Sequence, residues 1–271
     1  MIMLRQGKKW LDRERRKQQF ELTRDGEEAA YFGFQRIHAA EKTDKVLQHF
    51  NSVARRYDFM NTLLSFGIHH VWKRVSVRMM ELVPGDAILD VCGGTGDLAI
   101  LAARKIGSAG RVIIYDINRA MIQAGLHKVI RTELEKRIRY IQGDAENIAF
   151  PDNSFDATMV GFGIRNVTHV QRGFEEMYRV LKPGGKLMCL EFSKPTLPMF
   201  RWLYDVYSFY MMPLLGELIA GSRKAYTHLP ETIRTWPLPA ELADALKEIG
   251  FSQVTYRKLT NGIAVIHLAV K

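Results

Sequence analysis

One short stretch constrains the fold of this chain more than any other: an apolar strand that runs directly into a glycine-rich turn. Residues 87–91 are apolar except for Asp90, and a helical pattern follows the turn from Asp97 to Lys105. The turn contains three glycines, Gly93, Gly94 and Gly96. Glycine lets a backbone approach a ligand where a Cβ would clash. This strand–turn–helix unit predicts a ligand site at the carboxyl end of a parallel strand.

Strand and helix patterns continue to alternate beyond this unit. Further strands are predicted at residues 111–116, 139–142, 155–160 and 186–192, with helices at about 118–135 and 170–181. Such alternation predicts a doubly wound, mostly parallel α/β sheet. A helix at 240–249 then precedes strands 253–258 and 263–270, which a tight turn at Asn261-Gly262 joins into an antiparallel hairpin. This ending is expected of a class I methyltransferase, which is Rossmann-like, and not of a plain dinucleotide-binding fold.

The remaining segments predict a single methyltransferase domain with additions. Residues 1–30 read as a charged extension, frayed or helical, with little to bury, and 31–271 as the domain. Within it we expect a helical cap (31–83) of two or three helices interrupted at Asn61 and Gly67, a cofactor-binding core (84–198), an apolar insertion (199–237), and a terminal helix and hairpin (238–271). The insertion is dense in aromatic residues and Met over 199–221, which fits either a buried helix pair or an apolar wall for a lipid tail.

Composition narrows the class of protein. Two cysteines in 271 residues exclude a disulfide scaffold and a Cys-rich zinc module, and we predict no metal. Lys and Arg outnumber Asp and Glu 39 to 29, but the basic residues are spread along the chain, so nucleic acid is not an expected partner. With no signal peptide pattern and no apolar run of about 18 residues, a soluble intracellular protein is expected.

Three acidic residues decide which cofactor the glycine-rich turn accepts. Asp116 ends the second strand, where a carboxylate can accept hydrogen bonds from a ribose diol. That position and the sequence from Gly94 to Ala99 also fit a nicotinamide dehydrogenase. However, Asp90 would oppose a pyrophosphate and suit a sulfonium and an amino group, and Asp144 could accept from an adenine amine. Together with the hairpin, these residues favour S-adenosylmethionine (SAM), although each alone also fits a structural role such as a helix cap.

Two long stretches then carry a family resemblance. Residues 57–73, from Tyr57-Asp58 to Trp72-Lys73, resemble the N-terminal signature of the ubiquinone/menaquinone C-methyltransferases, the UbiE family. Residues 179–195 resemble the second signature of that family, and the sequence Phe162-Gly-Ile-Arg165-Asn-Val167 looks like a third element. The similarity runs from about residue 32 to the C-terminus. The resemblance implies SAM-dependent methylation of a ring carbon on a polyprenylated benzoquinol or naphthoquinol.

The resemblance also implies site residues. Thr95, Asp116, Asp144 and Ala145 look like cofactor contacts. Gly161 joins the predicted cofactor set with Asp90 and the three turn glycines, although many members of the family have Ser at this position.

Catalysis requires an electron-rich ring carbon, and therefore a group that helps to ionise a hydroquinol oxygen. Arg165 follows the fourth strand, where it could stabilise a phenolate or orient a water molecule. Tyr57, Asp58 and His69 are the other candidates. Core packing or a structural ion pair would equally explain these residues.

The predicted partner is a polyprenylated quinol. A peripheral membrane contact, a quinone-biosynthesis complex and a homodimer are left open. The expected location is the cytoplasm at the inner membrane, with the matrix face of the mitochondrial inner membrane as the alternative. The rival functions are methylation of another small molecule or of RNA, and a non-catalytic SAM-binding scaffold subunit of a quinone-synthesis complex.

Overall fold

A seven-stranded sheet forms the centre of the computed structural model, which describes residues 10–21 and 29–271. Its strands are β3 (Ala87–Val91), β4 (Arg111–Asp116), β5 (Ile138–Gln142), β6 (Phe155–Gly161), β7 (Leu181–Phe192), β8 (Ser252–Leu259) and β9 (Ala264–Val270). They lie in the order β5-β4-β3-β6-β7-β9-β8, and β9 alone runs in the direction opposite to the other six strands. The order reverses beside β3, so the crevice for a ligand lies at the carboxyl ends of β3 and β6.

Helices cover both faces of this sheet. On one face α4 (Ile68–Met79), α5 (Asp97–Ala103) and α6 (Arg119–Ile130) pack against apolar strand residues. On the other face lie α7 (Val170–Val180) and α11 (Pro239–Ile249). All five residues of β3 are buried, as expected for a central parallel strand covered on both faces. The predicted class I methyltransferase architecture, including the antiparallel hairpin, is confirmed.

The N-terminal cap contains three helices. They are α2 (Ala39–Val53), α3 (Tyr57–Leu64) and α4, with a single turn of 3₁₀ helix at Ala54–Arg56. The predicted interruption at Gly67 is confirmed, because this glycine precedes α4 with a φ of 75° that favours glycine. The interruption predicted at Asn61 is wrong. Asn61 lies inside α3, where its backbone carbonyl accepts a hydrogen bond from the Ser65 amide.

The expectation that the cap is helical from residue 31 is wrong at its start, because residues 31–38 form part of a small hairpin. Strand β1 (Ala29–Phe32) pairs with β2 (Gln35–His38) outside the main sheet.

The insertion folds as three helices, α8 (Pro198–Val206), α9 (Met212–Ala220) and α10 (Arg223–Thr235), with a π-helical turn at Tyr207–Met211. α8 has no buried residue. The insertion is therefore not an ordinary buried helix pair. In the part of the chain that is described, no helix is both long and apolar enough to span a membrane.

The charged extension is only partly within the described residues, since 1–9 and 22–28 lie outside them. Its helix α1 (Arg13–Glu21) agrees with the helical alternative, and most of its described side chains are exposed. Arg16 is buried, and its guanidinium donates to both carboxylate oxygens of Glu241 at 2.9 and 2.7 Å. A partner 225 residues away in sequence leaves no local signal, so this contact escaped the sequence analysis.

Candidate active site

The turn after β3 has the geometry of a ligand cradle. Gly94 and Gly96 have φ of 53° and 84°, in the left-handed region that favours glycine. A Cβ on Gly96 would lie 2.9 Å from the Tyr140 hydroxyl and 2.8 Å from the side chain of Ile114. A residue other than glycine could not bring the turn this close to the neighbouring strands. The backbone of the turn also carries no side chain at these positions that would stand between it and a ligand.

Asp116 lies at the end of β4, beside this turn. One carboxylate oxygen accepts from the Gly94 amide at 2.8 Å, and the other accepts from the Asn118 amide at 2.7 Å. Burial raises the pKa of Asp116, and these two backbone bonds oppose that effect. The carboxylate is thus fixed in orientation at the edge of the crevice, at the position predicted to hold a ribose.

Asp90 lies beneath the turn and is fully buried. Its Oδ2 accepts from the Ala99 amide at 3.2 Å, whereas its Oδ1 has no hydrogen-bond partner. Burial raises the pKa of Asp90 to about 8, far above the value of about 3.9 for an exposed aspartate. The folded state therefore holds a proton that the unfolded state releases, and this residue makes stability fall as pH rises between about 4 and 8.

An unpartnered buried carboxylate oxygen beside a ligand crevice calls for a cationic or donating group. Asp90 lines the same cleft as Asp116 and the turn glycines. The amino group and the sulfonium of SAM are cationic, and an ammonium donor would ionise Asp90 and satisfy its Oδ1. The residues present therefore fit SAM.

The other predicted cofactor residues line this cleft as well. They are Gly93, Thr95, Asp144, Ala145 and Gly161. Asp144 also accepts from the Glu146 amide at 2.9 Å, so it stabilises its own turn in addition to facing the cleft. A Cβ on Gly161 would lie 2.6 Å from the end of the Leu98 side chain. A serine at this position would therefore require Leu98 to move.

Helix α2 of the cap forms part of the wall of the cleft. Thr43, Val46, Leu47 and Phe50 all line it. Asn118, beside Asp116, donates to the Leu47 carbonyl at 3.3 Å and to the Asn51 side chain at 3.0 Å. The α2 cover is thus attached directly to the loop that orients Asp116.

A network of ion pairs joins the cap to the glycine-rich turn. The Thr95 hydroxyl donates to Asp58 at 2.7 Å, and the Lys128 ammonium donates to the other oxygen of Asp58 at 2.8 Å. Lys128 also pairs with Asp97, which pairs with Lys73 at 2.7 Å. Burial would raise the pKa of Asp97, but the two lysines outweigh it and hold that pKa well below its usual range. This network places Asp58 in a structural position.

A second cavity of about 390 Å³ adjoins the cofactor cleft. Four residues line both spaces and so mark the passage between them: Phe50, Tyr57, Lys73 and Phe162. The cavity wall is mainly aromatic and aliphatic, with contributions from Trp72, Phe192, Tyr204, Tyr207, Met212 and Tyr226. Three of the predicted catalytic residues, Arg165, Tyr57 and His69, line this cavity. Asp58 lines neither space.

His69 and Tyr57 supply polar groups to this apolar cavity. The Nε2 of His69 lies 3.2 Å from the Thr62 hydroxyl, which donates to the Asp58 carbonyl at 2.9 Å. Because that hydroxyl uses its proton on the carbonyl, Nε2 must be the donating nitrogen. Burial, together with Lys73, lowers the pKa of His69 to about 4, and burial raises the pKa of Tyr57. Both side chains are therefore uncharged near neutral pH.

Among the described residues, one group has the spacing of a metal site: His69, His70 and Asp97. Asp97 already pairs with the ammonium groups of Lys73 and Lys128. Two cations beside the carboxylate oppose the binding of a third, so this group gives no support to a metal ion.

Arg165 lies in a 3₁₀ turn after β6, and its side chain is only 7% exposed. Its Nη1 donates to the two carboxylate oxygens of Glu191 at 3.1 and 2.9 Å and to the Phe162 carbonyl at 2.5 Å. Its Nε is buried and has no hydrogen-bond partner. The guanidinium thus places a positive charge at the wall formed by Phe162 and Phe192.

The sequence analysis missed four charged residues of this region: Lys73, Asp97, Lys128 and Glu191. Lys73 and Glu191 lie inside the two signature stretches, and Asp97 directly follows the glycine-rich turn. Their proximity to the site could have been found from these positions. Lys128 lies on α6 among other polar residues, and nothing in the sequence distinguishes it.

The family model for the ubiE/COQ5 methyltransferase family matches residues 38–271, which include the cleft, the cavity and both signature stretches. The chain belongs to this family. A UbiE-family relative from Pseudomonas fluorescens SBW25, named ubiquinone/menaquinone biosynthesis C-methyltransferase UbiE, is 42% identical over 247 residues, which cover 91% of this chain and 96% of that protein. A relative of the same name from Legionella pneumophila Corby is 43% identical over 244 residues, covering 90% and 98% of the two chains.

The fold is shared more widely than the family. A solved SAM-dependent methyltransferase from Aquifex aeolicus superposes with a TM-score of 0.54 at 19% identity, covering 73% of this chain and 88% of that one. The UbiE-family match and this fold make the protein a SAM-dependent methyltransferase. The nicotinamide alternative is thereby excluded, and SAM as cofactor is confirmed.

Proposed function

We propose that this protein transfers the methyl group of SAM to a ring carbon of a polyprenyl benzoquinol, of demethylmenaquinol, or of both. The observation that carries the proposal is the cavity of about 390 Å³ that meets the cofactor cleft at Tyr57 and Phe162. Its aromatic wall suits a flat quinol ring, and Arg165 supplies a cation to one side of it. The names of the curated relatives support the same reaction.

The residues of the cavity account for the chemistry that this chain contributes. When bound, SAM supplies an electrophilic methyl group. The aromatic wall aligns the ring so that the accepting carbon faces the passage to the cleft. A ring carbon becomes nucleophilic when a hydroxyl ortho or para to it ionises, and the Arg165 guanidinium stabilises that developing phenolate. After the methyl group has joined this carbon, the hydrogen on the same carbon leaves as a proton to water and the aromatic ring is restored.

The proton of the quinol hydroxyl has few acceptors within the cavity. No Asp or Glu is found among the described residues that line it, and His69, with a pKa lowered to about 4, is a weak base. We therefore assign Arg165 to charge stabilisation and to orienting a water molecule that takes the proton, since an arginine is not a base near neutral pH.

Transfer of labelled methyl from SAM to a demethylated quinol extract tests this proposal. Labelled quinone, with neither RNA nor unrelated phenols labelled, supports it. Label in RNA or in another small molecule would favour the first rival function. SAM binding without transfer to any acceptor would favour a scaffold subunit. The quinone precursor that accumulates in a deletion strain would then identify the benzoquinol or naphthoquinol head group.

The insertion suggests how a water-insoluble substrate is collected. Helices α8 and α9 and the π-helical turn between them expose Met199, Trp202, Leu203, Tyr210, Leu214 and Leu218. Phe66, which is 83% exposed, lines the cavity and has its ring 6.0 Å from that of Tyr207 in the same insertion. The cavity wall thus continues into this exposed apolar face, and exposed apolar patches of this kind mark interaction sites.

We infer that the apolar face lies on a membrane surface and receives the polyprenyl tail. A net charge of +10 adds attraction to anionic lipid, worth about 1 kcal/mol for each basic residue near the surface. The expected location is the cytoplasmic side of the inner membrane, or the matrix side in a mitochondrion. Co-sedimentation with anionic vesicles at low salt, and release as salt rises, supports this location. Equal sedimentation without vesicles would contradict it.

Two further partners would also cover this apolar face. A quinone-biosynthesis complex would place the exposed apolar face against another enzyme of the same pathway, and a homodimer would cover the face with a second copy. Sedimentation velocity of the purified protein, with and without vesicles, separates these arrangements. A monomer that binds vesicles favours the membrane.

A further inference from the structure

Glu191 is the carboxylate that holds the proposed catalytic cation. It lies near the end of β7, paired in the sheet with Val265 of β9, and is 1% exposed. Both of its oxygens accept from Arg165 Nη1, and one also accepts from the Phe192 amide at 3.1 Å. Its position is therefore set by a central strand and not by a mobile loop.

The side-chain hydrogen bonds of Arg165 are donated by one nitrogen of the guanidinium, Nη1. Glu191 and the Phe162 carbonyl both accept from Nη1. The Nε proton is buried without an acceptor, so neither Nη1 nor Nε is a free donor at the cavity surface. Arginine can bind an oxyanion through two of its N–H donors at once, so the orientation of its planar group decides what it recognises. Holding Nη1 therefore fixes the orientation of the guanidinium at the cavity wall.

Glu191 also balances the charge of Arg165. His49, Tyr57 and Tyr204 interact electrostatically with Arg165. Burial lowers the pKa of His49 to about 4 and raises that of Tyr204 to about 12, so neither is charged near neutral pH. Burial also raises the pKa of Glu191, and Arg165 opposes this effect. A buried pair of this kind contributes little net stability, because desolvating two charges costs about as much as their attraction returns.

We propose that Glu191 is a positioning residue for methyl transfer: it holds Nη1 of Arg165 so that the guanidinium is presented at the cavity wall to the ionising oxygen of the acceptor ring. This inference rests on the proposed function, since it needs an acceptor with an acidic hydroxyl. It assigns no contact between Glu191 and the substrate. Arg165 makes the contact, and Glu191 controls its geometry.

Glu191→Gln tests this role, because it keeps the side-chain shape and removes the charge. We expect kcat to fall at least tenfold, while the Kd for SAM stays within twofold of wild type. The matched control is Glu241→Gln, which changes the ion pair between Glu241 and the buried Arg16, away from both cavities. The control variant is expected to keep its kcat. A kcat within twofold of wild type in folded Glu191→Gln would overturn the proposal.

A double-mutant cycle separates positioning from a general structural effect. If Glu191 acts only through Arg165, Arg165→Lys combined with Glu191→Gln should lose no more kcat than Arg165→Lys alone. Losses that multiply would overturn the proposal. If Glu191→Gln does not fold, Glu191→Asp keeps the charge on a shorter side chain and should show the same fall in kcat. An inactive wild-type enzyme would instead refute the proposed function, so the two failures are distinguishable.

Discussion

Replacing Asp116 with alanine tests the cofactor site at its most defined point. The carboxylate is buried and oriented by the amides of Gly94 and Asn118 at 2.8 and 2.7 Å. A ribose diol would donate two hydrogen bonds to it. Hydrogen bonds to a charged acceptor contribute about 1.5–3 kcal/mol to binding. Asp116→Ala should therefore raise the Kd for SAM roughly 10- to 150-fold, since each 1.4 kcal/mol is a factor of ten.

Calorimetric titration measures this change directly. S-adenosylhomocysteine retains the ribose but has neither the methyl group nor the sulfonium charge, so its Kd should rise by the same factor. Asp152→Ala is the matched control, because Asp152 is an exposed aspartate that pairs with Arg179 outside the cleft. A Kd within threefold of wild type in folded Asp116→Ala would refute the reasoning.

Three further variants test the rest of the site. Arg165→Lys keeps the charge but loses the planar set of donors, so kcat should fall at least tenfold with SAM affinity near wild type; equal turnover would leave Arg165 only a structural role. Asp90→Asn removes the carboxyl whose pKa is raised to about 8, so urea unfolding should show the variant gaining about 3–5 kcal/mol relative to wild type between pH 5 and pH 9. A pH-independent difference would contradict the burial argument. Replacing exposed Trp202 and Leu218 with Ser should reduce vesicle binding and slow methylation of long-tailed quinols more than of a short-tailed analogue. Equal slowing of both would show that the face binds no tail.

The sequence determined the architecture of the core by itself. Strand and helix periodicity, the glycine-rich turn and the Asn261-Gly262 turn are local signals, because each depends on residues adjacent in the chain. They predicted the order of the elements and the position of the cofactor cleft. The aspartates at strand ends were predictable for the same reason, since the carboxyl ends of parallel strands share one edge of the sheet.

The tertiary structure decided how the charged residues are paired. Glu191 and Arg165, Lys128 and Asp58, and Arg16 and Glu241 are far apart in sequence, and no spacing rule relates their positions. Asp58 was predicted as a catalytic candidate, yet packing places it against Thr95 and Lys128 outside both cavities.

The substrate cavity and the exposed apolar face are likewise properties of packing. Residues 199–221 were compatible with a buried helix pair or with a lipid-binding wall, because apolar periodicity predicts an apolar face but not what covers it. Only the folded arrangement shows Trp202 exposed and Phe209 stacked 4.0 Å from the buried Arg234 guanidinium. A side chain is exposed or covered according to which distant segments reach it, and that is settled when the whole chain has folded.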